Sequence, residues 1–181
     1  MALRSRGKAA ILQWLQRRQA MESTGYERAL IVGAGQGLSA ALARLFAREG
    51  MRVALASRGP DRLAALCKET GARAFACDAV NAGEVQRLFH DVEQAIGEPD
   101  VVVYNASGRV RGPIAGLDPA EVERAIAVTA FGGFLVAQQA ARRMLARKRG
   151  AILLTGASAS VKGYAQSAPF AMGKFALRGL A

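Results

Sequence analysis

The sequence predicts an α/β protein built on a doubly wound parallel sheet, and three observations carry that prediction. Short apolar runs alternate regularly with longer helical patterns from Ala29 onward. Runs such as VVVY at 101–104 and AILL at 151–154 are apolar at consecutive positions, which suits strands covered by helices on both faces. The first run, ALIV at 29–32, breaks into glycines and resumes as an Ala/Leu-rich helical pattern, so it reads as strand, tight turn and helix.

Composition bounds the rest. A chain of 181 residues, 51% hydrophobic and 22% charged, has enough apolar material for one domain with a real core. The longest apolar stretch, 125–141, is interrupted by Thr129, Gln138 and Gln139 and suits a buried helix better than a membrane span. Cys67 and Cys77 lack metal-ligand or redox spacing, and with the single histidine, His90, they cannot make a standard zinc set; reduced thiols and a cytoplasmic setting are expected, with no metal. The net charge of +11 points to phosphate-bearing ligands, nucleic acid or acidic surfaces. Much of the excess lies in the first 28 residues and in 142–149, without the aromatic interleaving of a single-strand binder, so no specific nucleic-acid partner is expected.

Taken in order, residues 1–27 read as a basic N-terminal arm, with Arg4, Arg6, Lys8, Arg17 and Arg18 preceding any acid, and residues 28–181 as the folded domain. Strands are expected at 29–33, 51–56, 73–77, 100–104 and 150–155, and helices at 37–49, 60–70, 81–97, 118–148 and from 168. Pro60 suits a first helical position, and Asn81 with Glu84 has capping-box spacing. Asp118, Pro119 and Glu121 place a cap, a first-turn proline and an acid in sequence. Arg142, Arg143, Arg147, Lys148 and Arg149 crowd the end of that helix, where cations complement the dipole, and Gly150 is expected to stop it.

Gly33, Gly35 and Gly37 can turn the chain sharply and present bare N–H groups to a diphosphate at a helix start. The pattern G-x-G-x-x-G has Leu38 in its third place, and G-x-x-x-G-x-G has Ser39 there, so each match is two-thirds complete. About 20 residues further on, where an acid would bind the ribose diol of NAD, the chain has Ser57 and Arg58. A guanidinium there suits the extra phosphate of NADP.

Five motifs in register then carry a resemblance: Gly33-x-x-x-Gly37, ASR at 56–58, CD at 77–78, YNAS at 104–107, and Lys174 in a short helix after TGAS. Together they resemble the classical short-chain dehydrogenase/reductase family from about Ala29 to the last residue. The resemblance implies a Rossmann-type three-layer sandwich with strand order 3-2-1-4-5, and hydride transfer between NADP(H) and a small carbonyl or alcohol. The cofactor residues it implies are Gly33, Gly35, Gln36, Gly37, Leu38, Ser57, Arg58, Asp78, Ala79, Asn105, Ala106 and Lys174. Tyr104 and Ser107 replace the outer residues of the family's N-N-A-G.

The catalytic half departs further. The family's Tyr-x-x-x-Lys falls on Phe170 and Lys174, so the lysine is kept and the proton-donating phenol is lost. The family's serine position lands on Ala157, with Ser158 one place later, and its helix asparagine aligns with Thr129. Tyr164, in the preceding loop, is the nearby phenol. The alternative is a noncatalytic dinucleotide-binding relative acting through oligomerisation or regulation; a basic nucleic-acid-associated protein, recognisable by steep salt dependence, is a third reading. By the same resemblance the sheet is incomplete after its fifth strand, so that either the chain is a fragment or another chain completes it. An exposed apolar edge and homo-oligomerisation are expected.

Overall fold

The computed structural model describes residues 25–181, so most of the expected arm lies outside the described residues. Five strands, β1 (Arg28–Val32), β2 (Arg52–Ser57), β3 (Arg73–Ala76), β4 (Val101–Tyr104) and β5 (Ala151–Leu154), form one parallel sheet in the order β3-β2-β1-β4-β5. The helices are α1 (Leu38–Arg48), α2 (Ala64–Thr70), α3 (Ala82–Ile96), α4 (Pro119–Ile126), α5 (Gly132–Arg147) and α6 (Ala168–Leu180). The expected fold class and strand order are those observed.

Successive residues of a strand point to opposite faces, so a run that is apolar throughout must be covered twice. Leu30, Val32, Ala54, Ala56, Val102 and Tyr104 pack on one face against Val85, Leu88, Phe89 and Val92 of α3 and Val136, Ala140 and Met144 of α5. Ala29, Ile31, Val53, Leu55, Val101 and Val103 pack on the other against Ala40 and Ala43 of α1 and Leu66 of α2. Each fully buried Val, Leu or Ile contributes about 1.5–3 kcal/mol, and the three central strands, β2, β1 and β4, are the most buried. On β5, Ile152 and Leu154 pack on the first face, while Leu153 points to the second and is 49% exposed. That is the exposed apolar edge expected from the sequence. Among the described residues no helix is long and apolar enough to cross a membrane.

Local boundaries differ from the sequence reading in four places. The segment starting at Pro60 opens as a 3-10 turn, Pro60–Leu63, before α2. The Asn81 side chain accepts from the Glu84 amide at 3.1 Å, but the Glu84 carboxylate reaches the Asp78 amide at 2.8 Å instead of closing a capping box. Lys148, at φ 53°, ends α5 in a left-handed cap, ahead of the expected stop at Gly150. The long helix at 118–148 is split into α4 and α5 by a π turn, Ala127–Phe131.

The π turn has a tertiary cause. The buried Tyr104 hydroxyl donates to the Val128 carbonyl. The Thr129 hydroxyl accepts from the Gly108 amide at 2.9 Å. Gly132 and Gly133 let the helix lie on the Tyr104 ring: a Cβ at Gly133 would stand 3.3 Å from Cε1, and one at Gly132 3.1 Å from the Ala79 carbonyl oxygen. A straight α ladder would keep the Val128 carbonyl for the helix itself.

The basic end of α5 also has a more specific cause than its dipole. Arg147 donates to Asp100 Oδ1 at 3.2 Å and to the Pro99 carbonyl at 2.7 Å. Asp100, 2% exposed, accepts from the amides of Glu27 and Arg28 at 2.9 and 3.1 Å. Burial alone would push this carboxyl up; the two amides and the Arg28 and Arg147 guanidiniums outweigh it and hold it below its ordinary value. Arg143 lies 5.1 Å over the Phe89 ring and donates to Gln139 Oε1 at 2.8 Å.

Candidate functional site

Strand order reverses between β1 and β4, and a parallel sheet opens a crevice at the carboxyl ends of its strands at such a point. A cleft of about 490 Å³ lies there, walled by the ends of β1, β2 and β4 and the segment after β3. Gly33 makes the turn that opens it, at φ 83°, with its amide and that of Ala34 both donating to the Ala56 carbonyl at 3.0 and 2.9 Å. A Cβ at Gly33 would run into the Ala106 backbone, so the glycine allows two chain segments to meet behind the cleft. Asn105 donates from its amide to the Val32 carbonyl at 2.8 Å and from Nδ2 to Ser39 Oγ at 2.8 Å, and Ser39 Oγ donates to the Gly33 carbonyl at 3.2 Å. Loop, helix start and β4 are thereby locked together. Ser39, a small residue by sequence, is a buried hydrogen-bonding bridge.

The loop fits a diphosphate. The amides of Gly35, Gln36 and Gly37 donate to no acceptor among the described residues, and they precede the positive end of the eleven-residue α1. A Cβ at Gly35 would meet no protein atom within 4 Å, so this position faces open space. Of the expected cofactor residues, Gly33, Gly35, Gln36, Ser57, Arg58, Asp78, Ala79, Asn105 and Ala106 line the cleft. Gly37 and Leu38 begin α1 outside its wall; the Gly37 carbonyl accepts from the Ala40 and Ala41 amides, and Leu38 is half exposed. Arg62, in the 3-10 turn that follows, joins Arg58 on the rim, a second cation that the sequence reading did not single out. The Cys77 thiol in the wall is pushed up to about 11 by burial and by Glu84 and Asp78, so it is unreactive at neutral pH.

A second cavity of about 280 Å³ holds Ser158, Phe170 and Tyr164. It connects toward the cleft through a hollow of about 200 Å³ that shares Arg58, Ser107 and Val128 with the cleft and Arg109 and Val110 with the cavity. In the short turn Ser158–Ser160, Ser160 takes the structural task, its Oγ accepting from the Ala157 amide at 3.1 Å, and Ser158 stands exposed on the cavity wall. Lys174 is 3% exposed and lines neither space; its Nζ donates to the Thr155 carbonyl at 2.6 Å and lies 5.7 Å from the Phe170 ring centre. Burial first, then the charge of Arg109, lowers the Lys174 pKa. Thr129 is fully buried, held by the Gly108 amide and packed against Gly173, where any Cβ would strike it; its hydroxyl is therefore turned to structure. Tyr104 is buried, its pKa raised by burial and then by Asp78 and Cys77, and its hydroxyl is committed to the Val128 carbonyl.

Arg109 is the residue the sequence reading missed. Its guanidinium lies 4.5 Å over the Phe170 ring and lines both smaller spaces. The available signal was a cation two places after YNAS, in a loop leaving the carboxyl end of a strand.

Among the described residues no group of three His, Cys, Asp or Glu side chains could hold a metal ion. Residues 27–181 match the family described as short chain dehydrogenase. The chain is 32% identical over 157 residues to D-threitol dehydrogenase of Mycolicibacterium smegmatis, covering 84% of this chain and 60% of that protein. It is 30% identical over 163 residues to short chain aldehyde dehydrogenase 1 of Euphorbia lathyris, covering 84% and 55%. It superposes on a metagenomic short-chain oxidoreductase in complex with NADP at a TM-score of 0.80, with 32% identity over 85% of this chain and 72% of that one. An actinorhodin polyketide ketoreductase with NADPH gives a TM-score of 0.82 at 28% identity, over 86% and 62%. The chain thus spans 55% and 60% of the lengths of these two relatives. With the sheet order, the glycine turn at the switch point and the profile match in agreement, the chain belongs to the short-chain dehydrogenase/reductase family.

Proposed function

We propose that the protein binds NADP(H) in the cleft and is an oxidoreductase acting between that cofactor and a small carbonyl or alcohol held in the neighbouring cavity. The observation that carries the reading is Ser57-Arg58 on the cleft wall at the end of β2, with Arg62 beside it and no carboxylate at the position that would select NAD. The NADP and NADPH complexes of two similar proteins support it. The free amides at 35–37 would receive the diphosphate, Arg58 the 2′-phosphate, and Asp78 and Ala79 the adenine side, while Lys174, which lines neither space and is held by Thr155, would reach the second ribose only by leaving that carbonyl. The dinucleotide, when bound, supplies or accepts the hydride.

Ser158, exposed on the cavity wall, can hydrogen-bond a substrate oxygen there. Phe170 has no proton to give, so the proton comes from water, from Ser158 or from Tyr164, the phenol on the same wall. A dinucleotide-binding protein without turnover would rest on Phe170 alone, and family membership favours the oxidoreductase. The free thiols Cys67 and Cys77 agree with a reducing, cytoplasmic setting, and Leu153 on the exposed sheet edge agrees with a homo-oligomer, which sedimentation of the chain would test. Calorimetric titration with NADPH and NADH tests the cofactor assignment: NADPH should bind at least 10-fold tighter. Equal affinities, or tighter NADH binding, would overturn it.

A further inference from the structure

The cavity beside the cleft has an unusual wall. Arg109, Arg111, Ser158, Tyr164 and Ser167 bring two guanidiniums and three hydroxyls to one concavity, and no acidic residue lines it. Arg44 meets Glu69 at 2.7 Å and Arg147 meets Asp100 at 3.2 Å, whereas other exposed arginines, Arg58 among them, make no ion pair among the described residues. Among the described residues neither Arg109 nor Arg111 pairs with a carboxylate.

Arg109 is also held in place. Its guanidinium stacks on Phe170 at 4.5 Å, which favours a cation over the ring face and restricts the side chain. The loop carrying both arginines is tied across the cavity mouth by the Gly112 amide, which donates to the Gln166 carbonyl at 3.2 Å. Gln166 itself sits at φ 57°, a left-handed conformation that a non-glycine residue adopts only when its surroundings hold it there. The Arg109 charge reaches Lys174, whose pKa it lowers in addition to the effect of burial. A cation stacked on an aromatic ring, with no carboxylate partner among the described residues and facing hydroxyl donors, is a receptor for an anion, and the planar fork of a guanidinium can meet a carboxylate through two parallel hydrogen bonds.

Building on the oxidoreductase reading above, we propose that Arg109 and Arg111 form a carboxylate subsite, so that the carbonyl or alcohol compounds taken by this protein carry a carboxylate away from the reacting carbon. The ring at position 170 then serves as a platform for the arginine that selects the substrate.

The test is binding, so that it does not depend on turnover. The chain, with and without NADP+, is titrated with 4-acetylbenzoate and with acetophenone, two ketones that differ in the carboxylate. The keto acid should bind about 10- to 100-fold more tightly, a preference that shrinks between 0.05 and roughly 0.5 M salt. Arg109→Gln and Arg111→Gln should each lower it, and the double variant should bring the two ketones to within about 3-fold, while Arg48→Gln, at the far end of α1, leaves the preference intact. Thermal melts check that the variants fold. Equal binding of the two ketones by the folded wild-type chain would overturn the proposal, as would a preference that survives the double variant. Loss of NADP+ binding with the keto-acid preference kept would instead sink the cofactor assignment and leave the subsite standing.

Discussion

Replacing Arg58 by alanine should remove most of the preference for NADPH over NADH while leaving NADH binding and the fold intact. Arg58 lies at the end of β2, exposed on the cleft wall, and makes no ion pair among the described residues. Its removal therefore strands no buried partner, and the stability of the apoprotein should change by less than about 0.5 kcal/mol. Toward a 2′-phosphate it would make charge-assisted hydrogen bonds, each worth about 1.5–3 kcal/mol when shielded from water. At about 1.4 kcal/mol per decade this is roughly a 10- to 150-fold preference, and the exposure of Arg58 puts the expected value toward the lower end in physiological salt. Arg62, on the same rim, should hold part of what remains, so the double variant is expected to show no preference. Calorimetric titration of wild type, Arg58→Ala and the double variant with both cofactors, at about 0.05 and 0.3 M salt, measures this. A ratio of affinities that Arg58→Ala leaves unchanged would refute the reasoning, because it would mean that the phosphate is recognised elsewhere or not at all.

Gly33→Ala should abolish cofactor binding and cost about 3 kcal/mol or more of stability, since φ 83° is strained for alanine and its Cβ would displace the Ala106 backbone. At about 2–4 °C per kcal/mol for a chain of this size, a melting temperature within 2 °C of wild type would contradict the close packing. Phe170→Tyr puts a phenol on the ring whose centre lies 5.7 Å from Lys174 Nζ, and it should raise carbonyl reduction by about 10²- to 10⁴-fold if the proton limits the rate. Assayed beside it, Tyr164→Phe should lower wild-type turnover only if Tyr164 now supplies that proton. Asp100→Asn should destabilise the fold by about 2–4 kcal/mol at pH 6, less than a fully buried pair, because the Arg28 and Arg147 side chains are 26% and 27% exposed. The folded Asp100 carboxyl lies below its ordinary value of 3.8, so its stabilisation is present above that pH and is lost as pH falls through the lower folded value. Melting curves of wild type and variant should accordingly converge as pH falls below the ordinary value of 3.8.

Sequence by itself determined the layers of this protein, the order of its elements and the end of the strands at which a ligand would sit. Those properties are local or periodic: consecutive apolar residues force a strand to be covered twice, a glycine at a strand end permits the positive φ seen at Gly33, and Asn81 and Asp118 cap the helices that follow them. Ser57-Arg58 was readable because it lies at a fixed distance along one strand–helix–strand unit. Tertiary structure alone decided whatever depends on two distant segments meeting. Tyr104, by sequence a substitution in a motif, becomes the ring around which Gly132 and Gly133 pack and the donor that opens the π turn. Arg147, one of five cations at a helix end, is singled out by Asp100, 47 residues away. Thr129 and Lys174, aligned to reacting positions, are turned inward by Gly108 and Thr155. Arg109 shows the physical reason most plainly: nothing within its own loop distinguishes it from a solvated arginine, and only the approach of α6 supplies the aromatic face that fixes its charge at the mouth of the cavity.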